Sequence, residues 1–126
     1  MAILNLDMIA AFNTERLVGY FPSWGIHVQN YHVTNIPASQ LTDVIYAFAN
    51  VTTPGDCVST NAQDDQVNFP QLVQLKQQQP QLMILISVGG AANSTNFSAA
   101  AATAASRVHF AQSCVQFMKK DRKSVV

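Results

Sequence analysis

A continuous apolar run in the second half of the chain places the strongest constraint on the fold. The run covers residues 82–86, with Pro80 before it and the pair Gly89-Gly90 after it. An apolar run of this length between two breakers is typical of a strand buried on both faces, as in a parallel sheet. Ser87 adds a hydroxyl at the end of the strand, and the two glycines allow a sharp turn and a close approach to a ligand. Ligands gather at the carboxyl ends of parallel strands, so we expect the functional site at this edge.

Two earlier segments have strand character and similar ends. Residues 16–24 predict a first strand that ends at Pro22 and Trp24, and residues 43–51 predict a second strand that ends at a Thr-Thr-Pro-Gly turn. Helical patterns are predicted at residues 35–41, at 68–79 with Asn68 as the capping residue, and at 107–120 after an alanine-rich stretch that begins near Phe97. Alternating strands and helices argue for a parallel sheet, either doubly wound or the beginning of an eight-stranded barrel.

The remaining segments are predicted as loops. Residues 25–34 are rich in His, Asn and Tyr, and residues 57–66 are polar. Asp64 and Asp65 are adjacent carboxylates in the second of these loops. We expect both to be solvated rather than to act as a catalytic pair. No glycine-rich phosphate-binding motif follows any predicted strand, which lowers the expectation of nucleotide binding.

Composition narrows the classes of protein that fit. The chain has 126 residues, no net charge and only 11% charged residues, against roughly 25% in an average globular chain. A small domain has much surface to cover, so this low proportion suggests a piece of a larger core. No basic cluster indicates nucleic-acid binding and no apolar run is long enough for a membrane span. The first residues lack a basic segment and include Asp7 and Glu15, so no secretion signal is visible.

The cysteines and histidines do not form a metal-binding pattern. Cys57 and Cys114 have no metal-ligand spacing, so we predict two free thiols, although a disulfide between them stays possible. His27, His32 and His109 have no Cys, His or Asp partners at ligand spacing. We therefore predict neither a metal site nor a cofactor. A serine-hydrolase triad is also not expected, because the chain has no Gly-x-Ser-x-Gly motif.

Three motifs in order resemble a known family. Val-Gly-Tyr-Phe-Pro-Ser-Trp-Gly at 18–25, Val-Ile-Tyr-Ala-Phe-Ala at 44–49 and Leu-Ile-Ser-Val-Gly-Gly at 85–90 resemble the first three barrel strands of family 18 glycoside hydrolases, the chitinases and their relatives. The resemblance extends from about residue 17 to residue 120. It implies an α/β fold that is part of a TIM (β/α)8 barrel, namely its first three βα units.

The same resemblance implies a division of the chain. Residues 1–15 are a lead-in, residues 16–120 are the N-terminal part of the barrel, and residues 121–126 are a tail foreign to the family, which we interpret as a truncation artefact. The family carries its catalytic acid in an Asp-x-x-Asp-x-Asp-x-Glu motif on the fourth strand. That motif does not occur in the printed sequence, so we expect no catalytic residue in this chain.

The activity implied for the parent protein is hydrolysis of β-1,4-linked N-acetylglucosamine polymers. In this family the acetamido oxygen of the substrate is the nucleophile and the anomeric configuration is retained. The expected partners are chitin or its oligosaccharides, with no nucleic-acid or membrane partner, and the parent is expected to be an extracellular monomer. The chain itself is expected to be inactive. One alternative is a chitinase-like lectin that binds without cleaving; another is an unrelated doubly wound protein.

Three aromatic residues are the candidates for substrate binding. By resemblance, Tyr20 lies beside the sugar at the cleavage position, Trp24 stacks on a sugar toward the non-reducing side, and Phe48 lines the floor of the pocket. Sugar rings have apolar C–H faces that stack well on aromatic rings. The alternative for Tyr20 and Phe48 is a packing role in the barrel.

Three further residues are predicted to support the site. Ser87 resembles the serine that hydrogen-bonds the aspartates of the fourth strand, while Gly89 and Gly90 are predicted to act through their backbone. Ala91 stands where many members of the family carry tryptophan, so a stacking surface on the leaving-group side is not expected.

Overall fold

The computed structural model describes residues 15–120, so the predicted tail and all but the last residue of the predicted lead-in lie outside the described residues. The strands are β1 (Val18–Pro22), β2 (Asp43–Val51), β3 (Cys57–Ser59) and β4 (Met83–Val88). The helices are α1 (Gly25–Val28), α2 (Ala62–Gln78), α3 (Phe97–Ala101) and α4 (Ala104–Lys119), with short 3-10 turns at Val33–Asn35 and Ala38–Gln40. An α/β fold is confirmed.

Strand β2 is the centre of the sheet. It pairs in parallel with β1 on one side and with β4 on the other, and the register aligns Tyr20, Ile45 and Leu85. Strand β3 returns antiparallel to the end of β2. The sequence did not predict β3, which lies in the segment interpreted as a polar loop, because three residues are too few to show strand periodicity. Likewise, α1 occupies part of the predicted 25–34 loop.

Helix α2 begins earlier than its sequence suggests. The prediction that Asn68 caps this helix is wrong, since Asn68 lies buried within it. The actual cap is Asn61, whose side-chain oxygen accepts hydrogen bonds from the backbone N–H groups of Gln63 and Asp64. Asn68 precedes Pro70 by two residues, which imitates the usual pattern of a cap followed by a first-turn proline. The polar first turns of α2 hid the true start.

The apolar core lies between the sheet and the helices. Tyr46 of β2 packs on Phe69 of α2 with ring centroids 4.9 Å apart, and Phe69 meets the edge of Phe117 of α4 at 6.2 Å. Phe21 of β1 and Leu72 of α2 are also fully buried in this layer. Cys57 of β3 and Ile84 of β4 belong to the same cluster, so the core joins all four strands to α2 and α4 on one face of the sheet.

The other face of the sheet is open in the described part of the chain. The expectation that residues 82–86 are buried on both faces is wrong, because Met83 is 43% exposed and Leu85 is 41% exposed. Successive side chains of a strand point to opposite faces, so Ile84 is buried under the helices while its neighbours are not. Val18 and Tyr20 extend the same open apolar face across β1.

A buried polar network crosses the core at the start of α2. The prediction that Asp64 and Asp65 are solvated is wrong, since they are only 3% and 6% exposed. Asp65 accepts hydrogen bonds from the hydroxyls of Tyr46 and Ser59, and Asn68 Nδ2 donates to Tyr46 Oη at 3.1 Å. These partners are distant in sequence, so the polar composition of the segment could not reveal the burial.

This network predicts a loss of stability in alkali. Burial and the hydrogen bond to Asp65 raise the pKa of Tyr46 far above its ordinary value. A tyrosine in the unfolded chain ionises near pH ~10. The contribution of the Tyr46 hydroxyl to the free energy of unfolding is therefore fully present below that pH. Above it, the free energy of unfolding falls by about 1.4 kcal/mol per pH unit. Urea unfolding at a series of pH values should show this slope above pH ~10, and Tyr46→Phe should flatten it.

Tyr20→Phe is the matched control for this experiment. Tyr20 is exposed, so its replacement should leave the alkaline slope of the unfolding free energy unchanged. An unaltered slope in Tyr46→Phe would contradict the assignment of the alkaline transition to the buried hydroxyl.

The two cysteines lie side by side between β3 and α4. Neither cysteine forms a disulfide, as predicted, and the two side chains are within hydrogen-bond reach of each other. Ser113 Oγ of α4 also accepts a hydrogen bond from the backbone N–H of Cys57 at 2.9 Å. Burial raises the pKa of Cys114, which lowers its thiolate fraction at neutral pH.

Candidate functional site

The carboxyl ends of the three parallel strands lie next to one another. Pro22 aligns with Ala47, and Ala47 aligns with Ser87. Two backbone hydrogen bonds continue the pairing past β1 and β4, from Ser23 N to the Ala47 carbonyl at 2.7 Å and from Gly89 N to the Ala49 carbonyl at 2.8 Å. The residues that follow the strands are thus brought to one edge, as the sequence predicted.

Two of the three predicted aromatic residues meet at this edge. The rings of Trp24 and Phe48 are stacked, with centroids 6.1 Å apart and planes 25° apart. Phe48 falls at a register shift in the pairing of β2 with β4, between Ala47 and Ala49, and the Ala47–Phe48 peptide is cis. A register shift of this kind takes a side chain out of the regular alternation of the strand. Trp24 remains 46% exposed, so the pair presents an accessible aromatic surface.

Tyr20 is more exposed than either partner of this pair. It is 65% exposed and lies on the open face of the sheet, in register with Ile45 and Leu85. It therefore takes no part in the core between sheet and helices. The open face continues to the carboxyl edge of the sheet, where the rings of Trp24 and Phe48 lie.

The two predicted glycines are required by the backbone. Gly89 and Gly90 have φ values of +102° and +85°, a region that side chains other than glycine rarely adopt. A Cβ atom on Gly90 would lie 3.1 Å from the Phe48 ring, and one on Gly89 would lie 2.5 Å from the Phe97 ring. The close approach expected at these glycines is therefore made by aromatic rings.

Ser87 and Ala91 complete the predicted positions. Ser87 is half-buried near the end of β4, which is the third of the parallel strands. Its hydrogen bond to an aspartate of the fourth barrel strand stays a prediction, because that barrel strand is not among the described residues. Ala91 is exposed in the bend after Gly90. The loop here offers no aromatic surface of its own.

Four of the five acidic residues between residues 15 and 120 have hydrogen-bond partners other than Trp24 and Phe48, and the fifth, Glu15, precedes β1 at the other edge of the sheet. Asp43 is held at the opposite edge of the sheet by Arg16, Asp56 pairs with His109, Asp64 pairs with His27, and Asp65 bonds Tyr46 and Ser59. Hydrogen bonds from Arg16 and then Thr42 hold the pKa of Asp43 below its ordinary value. None of these carboxylates hydrogen-bonds a residue of the aromatic pair, so the described edge can bind by stacking but supplies no proton donor.

The sequence did not reveal how the Trp24 segment is held. His27 Nε2 lies 2.6 Å from Asp64 Oδ1, and Asn68 Nδ2 donates to the Ser23 carbonyl at 3.1 Å. Asp64 and Asn68 are four residues apart and so share one face of α2. That spacing was a usable signal, but it could be interpreted only if α2 were known to begin at Ala62.

Other kinds of site find little support between residues 15 and 120. No group of three or more His, Cys, Asp or Glu side chains there could hold a metal ion. No helix in this part of the chain is both long and apolar enough to cross a membrane. A cavity of about 920 Å³ opens between β3, α2 and α4, but it lies on the helix side of the sheet, away from Trp24 and Phe48.

The family can be assigned from known proteins. The family model described as "Glycosyl hydrolases family 18" matches residues 16–123. The chain belongs to this family. The resemblance of the three strand motifs is thereby confirmed, and the alternative of an unrelated doubly wound protein is wrong.

Individual relatives agree with this assignment. Chitinase 1 of Aphanocladium album is 38% identical over 117 residues, a match covering 79% of this chain and 28% of that protein. An immunomodulatory active chitinase from Trichuris suis superposes with a TM-score of 0.76 at 28% identity, over 86% of this chain and 31% of that one. Human YKL-39, titled a pseudo-chitinase with retained chitooligosaccharide binding properties, superposes with a TM-score of 0.72 at 24% identity, over 85% and 30%. The chain thus spans less than a third of each relative.

Proposed function

We propose that this chain is the N-terminal part of a chitinase-like glycoside hydrolase and contributes part of the binding surface for β-1,4-linked N-acetylglucosamine polymers. The observation that carries the proposal is the exposed Trp24 ring stacked on Phe48 at the carboxyl edge of the parallel sheet. The apolar C–H face of a sugar ring can lie against this indole. Tyr20 extends the aromatic surface along β1 toward the position of cleavage.

The proposed parent fold is a TIM barrel that includes residues 16–120 as its first three βα units. Strands β1, β2 and β4 are parallel and adjacent in chain order, and helices cover only one of their faces. In a closed barrel the opposite face is packed by side chains of the remaining strands. The apolar side chains of Val18, Met83 and Leu85 on the open face form the surface that such strands would cover.

The proposed reaction of the parent is retaining and substrate-assisted. Its proton donor would come from a fourth strand, with Ser87 supporting the aspartates of that strand. The parent is further proposed to be an extracellular monomer. The 126-residue chain by itself should bind chito-oligosaccharides without cleaving them, because Asp43, Asp56, Asp64 and Asp65 are hydrogen-bonded to residues other than Trp24 and Phe48.

A chitinase-like lectin is the second candidate, and the same observation favours it. The Trp24–Phe48 pair offers an aromatic surface, and the nearby Asp64 is hydrogen-bonded to His27 instead. An aromatic surface is enough for binding, whereas cleavage also requires a proton donor. The two candidates differ in the residue at the position of the fourth-strand glutamate. Sequencing the source DNA past the codon for Lys120 separates them, since a glutamate supports the hydrolase and its replacement supports the lectin.

Binding is tested by calorimetric titration of the chain with chito-oligosaccharides. Trp24→Ala should weaken binding about tenfold, or about 1.4 kcal/mol, because a stacked aromatic surface is lost. Leu17→Ala is the matched control, since Leu17 is an exposed apolar residue at the opposite edge of the sheet. Equal affinity in both variants, or equal affinity for cello-oligosaccharides that lack the acetamido group, would contradict the proposal.

A further inference from the structure

Two residues of helix α2 hold the segment that carries Trp24. Asp64 Oδ1 lies 2.6 Å from His27 Nε2, and Asn68 Nδ2 donates to the carbonyl of Ser23 at 3.1 Å. Ser23 immediately precedes Trp24 and His27 follows three residues later. The segment is therefore fastened on both sides of the tryptophan by one face of one helix.

The anchors are buried, whereas the residue that they hold is exposed. Asp64, Asn68 and Ser23 are at most 3% exposed. Asp64 lies in the first turn of α2, where backbone N–H groups and the helix dipole stabilise a carboxylate. Burying a carboxylate without a hydrogen-bond partner is unfavourable, so the contact between Asp64 and His27 is favoured. The anchor side of the contact is thus rigid.

The backbone transmits this restraint to Trp24. The Trp24 carbonyl accepts hydrogen bonds from the N–H groups of His27 at 3.0 Å and Val28 at 3.2 Å, which makes Trp24 the cap of α1. His27 is therefore fixed to Trp24 through the turn and to α2 through its side chain. The contact between His27 and Asp64 therefore restrains the backbone turn that carries the indole.

We propose that Asp64 and Asn68 are positioning residues, which act through His27 and Ser23 to hold the Trp24 indole over Phe48. Neither touches the aromatic surface, and neither is proposed to contact a ligand. The effect on sugar affinity rests on the proposed function, whereas the effect on the indole does not. Preorganising an exposed aromatic ring lowers the entropic cost of binding to it.

The chain reports on this residue directly, because Trp24 is its single tryptophan. Fluorescence quenching by acrylamide measures the accessibility of that one ring. His27→Ala removes the donor to Asp64 and should raise the quenching constant about twofold and weaken chito-oligosaccharide binding about three- to tenfold. His27→Gln has an amide that can place a donor near the Nε2 position. This variant should restore the quenching constant and the affinity toward the values of the unsubstituted chain.

His109→Ala is the matched control. His109 forms the same kind of contact with Asp56, with Nε2 2.7 Å from Oδ1, and both side chains are exposed. This variant should change neither quenching nor affinity. Should His27→Ala lose its far-ultraviolet circular dichroism, His27→Leu keeps the bulk without the donor and is judged by the same values.

The outcomes separate the inference from the proposed function. Raised quenching in His27→Ala with rescue by His27→Gln supports the inference, even if the unsubstituted chain binds no chito-oligosaccharide and the proposed function fails. Quenching in a folded His27→Ala that equals the quenching in the unsubstituted chain overturns the inference. A rise of the same size in His109→Ala also overturns it, because the effect would then be general to the fold.

Discussion

Gly89→Ala should destabilise the chain by about 3 kcal/mol, one of the two largest single-residue effects that we expect. About 1–2 kcal/mol comes from placing an alanine at positive φ, where Gly89 has +102°. A further cost of about 1–3 kcal/mol comes from overpacking, since the new Cβ atom would lie 2.5 Å from the Phe97 ring. Urea unfolding of the unsubstituted chain and of the variant measures the difference in the free energy of unfolding.

Gly19→Ala is the matched control for this substitution. Gly19 lies within β1 without a positive φ, and its nearest neighbour is the flexible end of Leu41 at 3.1 Å. We expect a change within about 0.5–1 kcal/mol in either direction. If Gly89→Ala unfolds at the same urea concentration as the parent chain, the turn after β4 can relax and the backbone role assigned to Gly89 is wrong.

Asp65→Ala should have an effect of similar size for a different reason. The substitution removes the acceptor of two hydroxyl groups, those of Tyr46 and Ser59, and leaves the buried Tyr46 hydroxyl without its acceptor. Hydrogen bonds to a charged group contribute about 1.5–3 kcal/mol each. We therefore expect a loss of about 3 kcal/mol and a fall in Tm of about 10 °C or more for a domain of this size.

The chain supplies a matched carboxylate for comparison. Asp56 forms a contact with His109 in which both side chains are about half exposed, and such surface pairs contribute ~0–1 kcal/mol. Asp56→Ala should therefore shift the thermal midpoint by only a few degrees. Midpoints that fall equally in the two variants would show that burial of Asp65 does not govern its contribution.

The elements that could be predicted from the sequence are those with a strong local pattern. β2, β4 and α4 were found close to their actual bounds, because an apolar run between breakers and an apolar face at helical spacing are both local signals. The glycine turn and the meeting of strand ends at one edge follow from parallel pairing. The family resemblance added the order of the three strands, and the family match confirms it.

The features that could not be predicted depend on contacts between distant residues. The burial of Asp65 requires Tyr46 and Ser59, and the tether of the Trp24 segment requires Asp64 and Asn68 to face it across the core. Polar composition indicates solvent exposure unless the tertiary partners are known. The opposite error was made at β4, where apolar composition indicated burial on both faces although the described helices cover only one.

The open face of the sheet makes the described part of the chain behave like an amphiphile. Val18, Tyr20, Met83 and Leu85 lie on one side of the sheet, and helices α2 and α4 cover the other. An amphiphile lowers its free energy by adsorbing at boundaries such as an air–water film or a plastic wall, with its apolar side turned away from water. The concentration of dissolved chain should consequently depend on the surface area of the vessel, and a carrier detergent belongs in every titration.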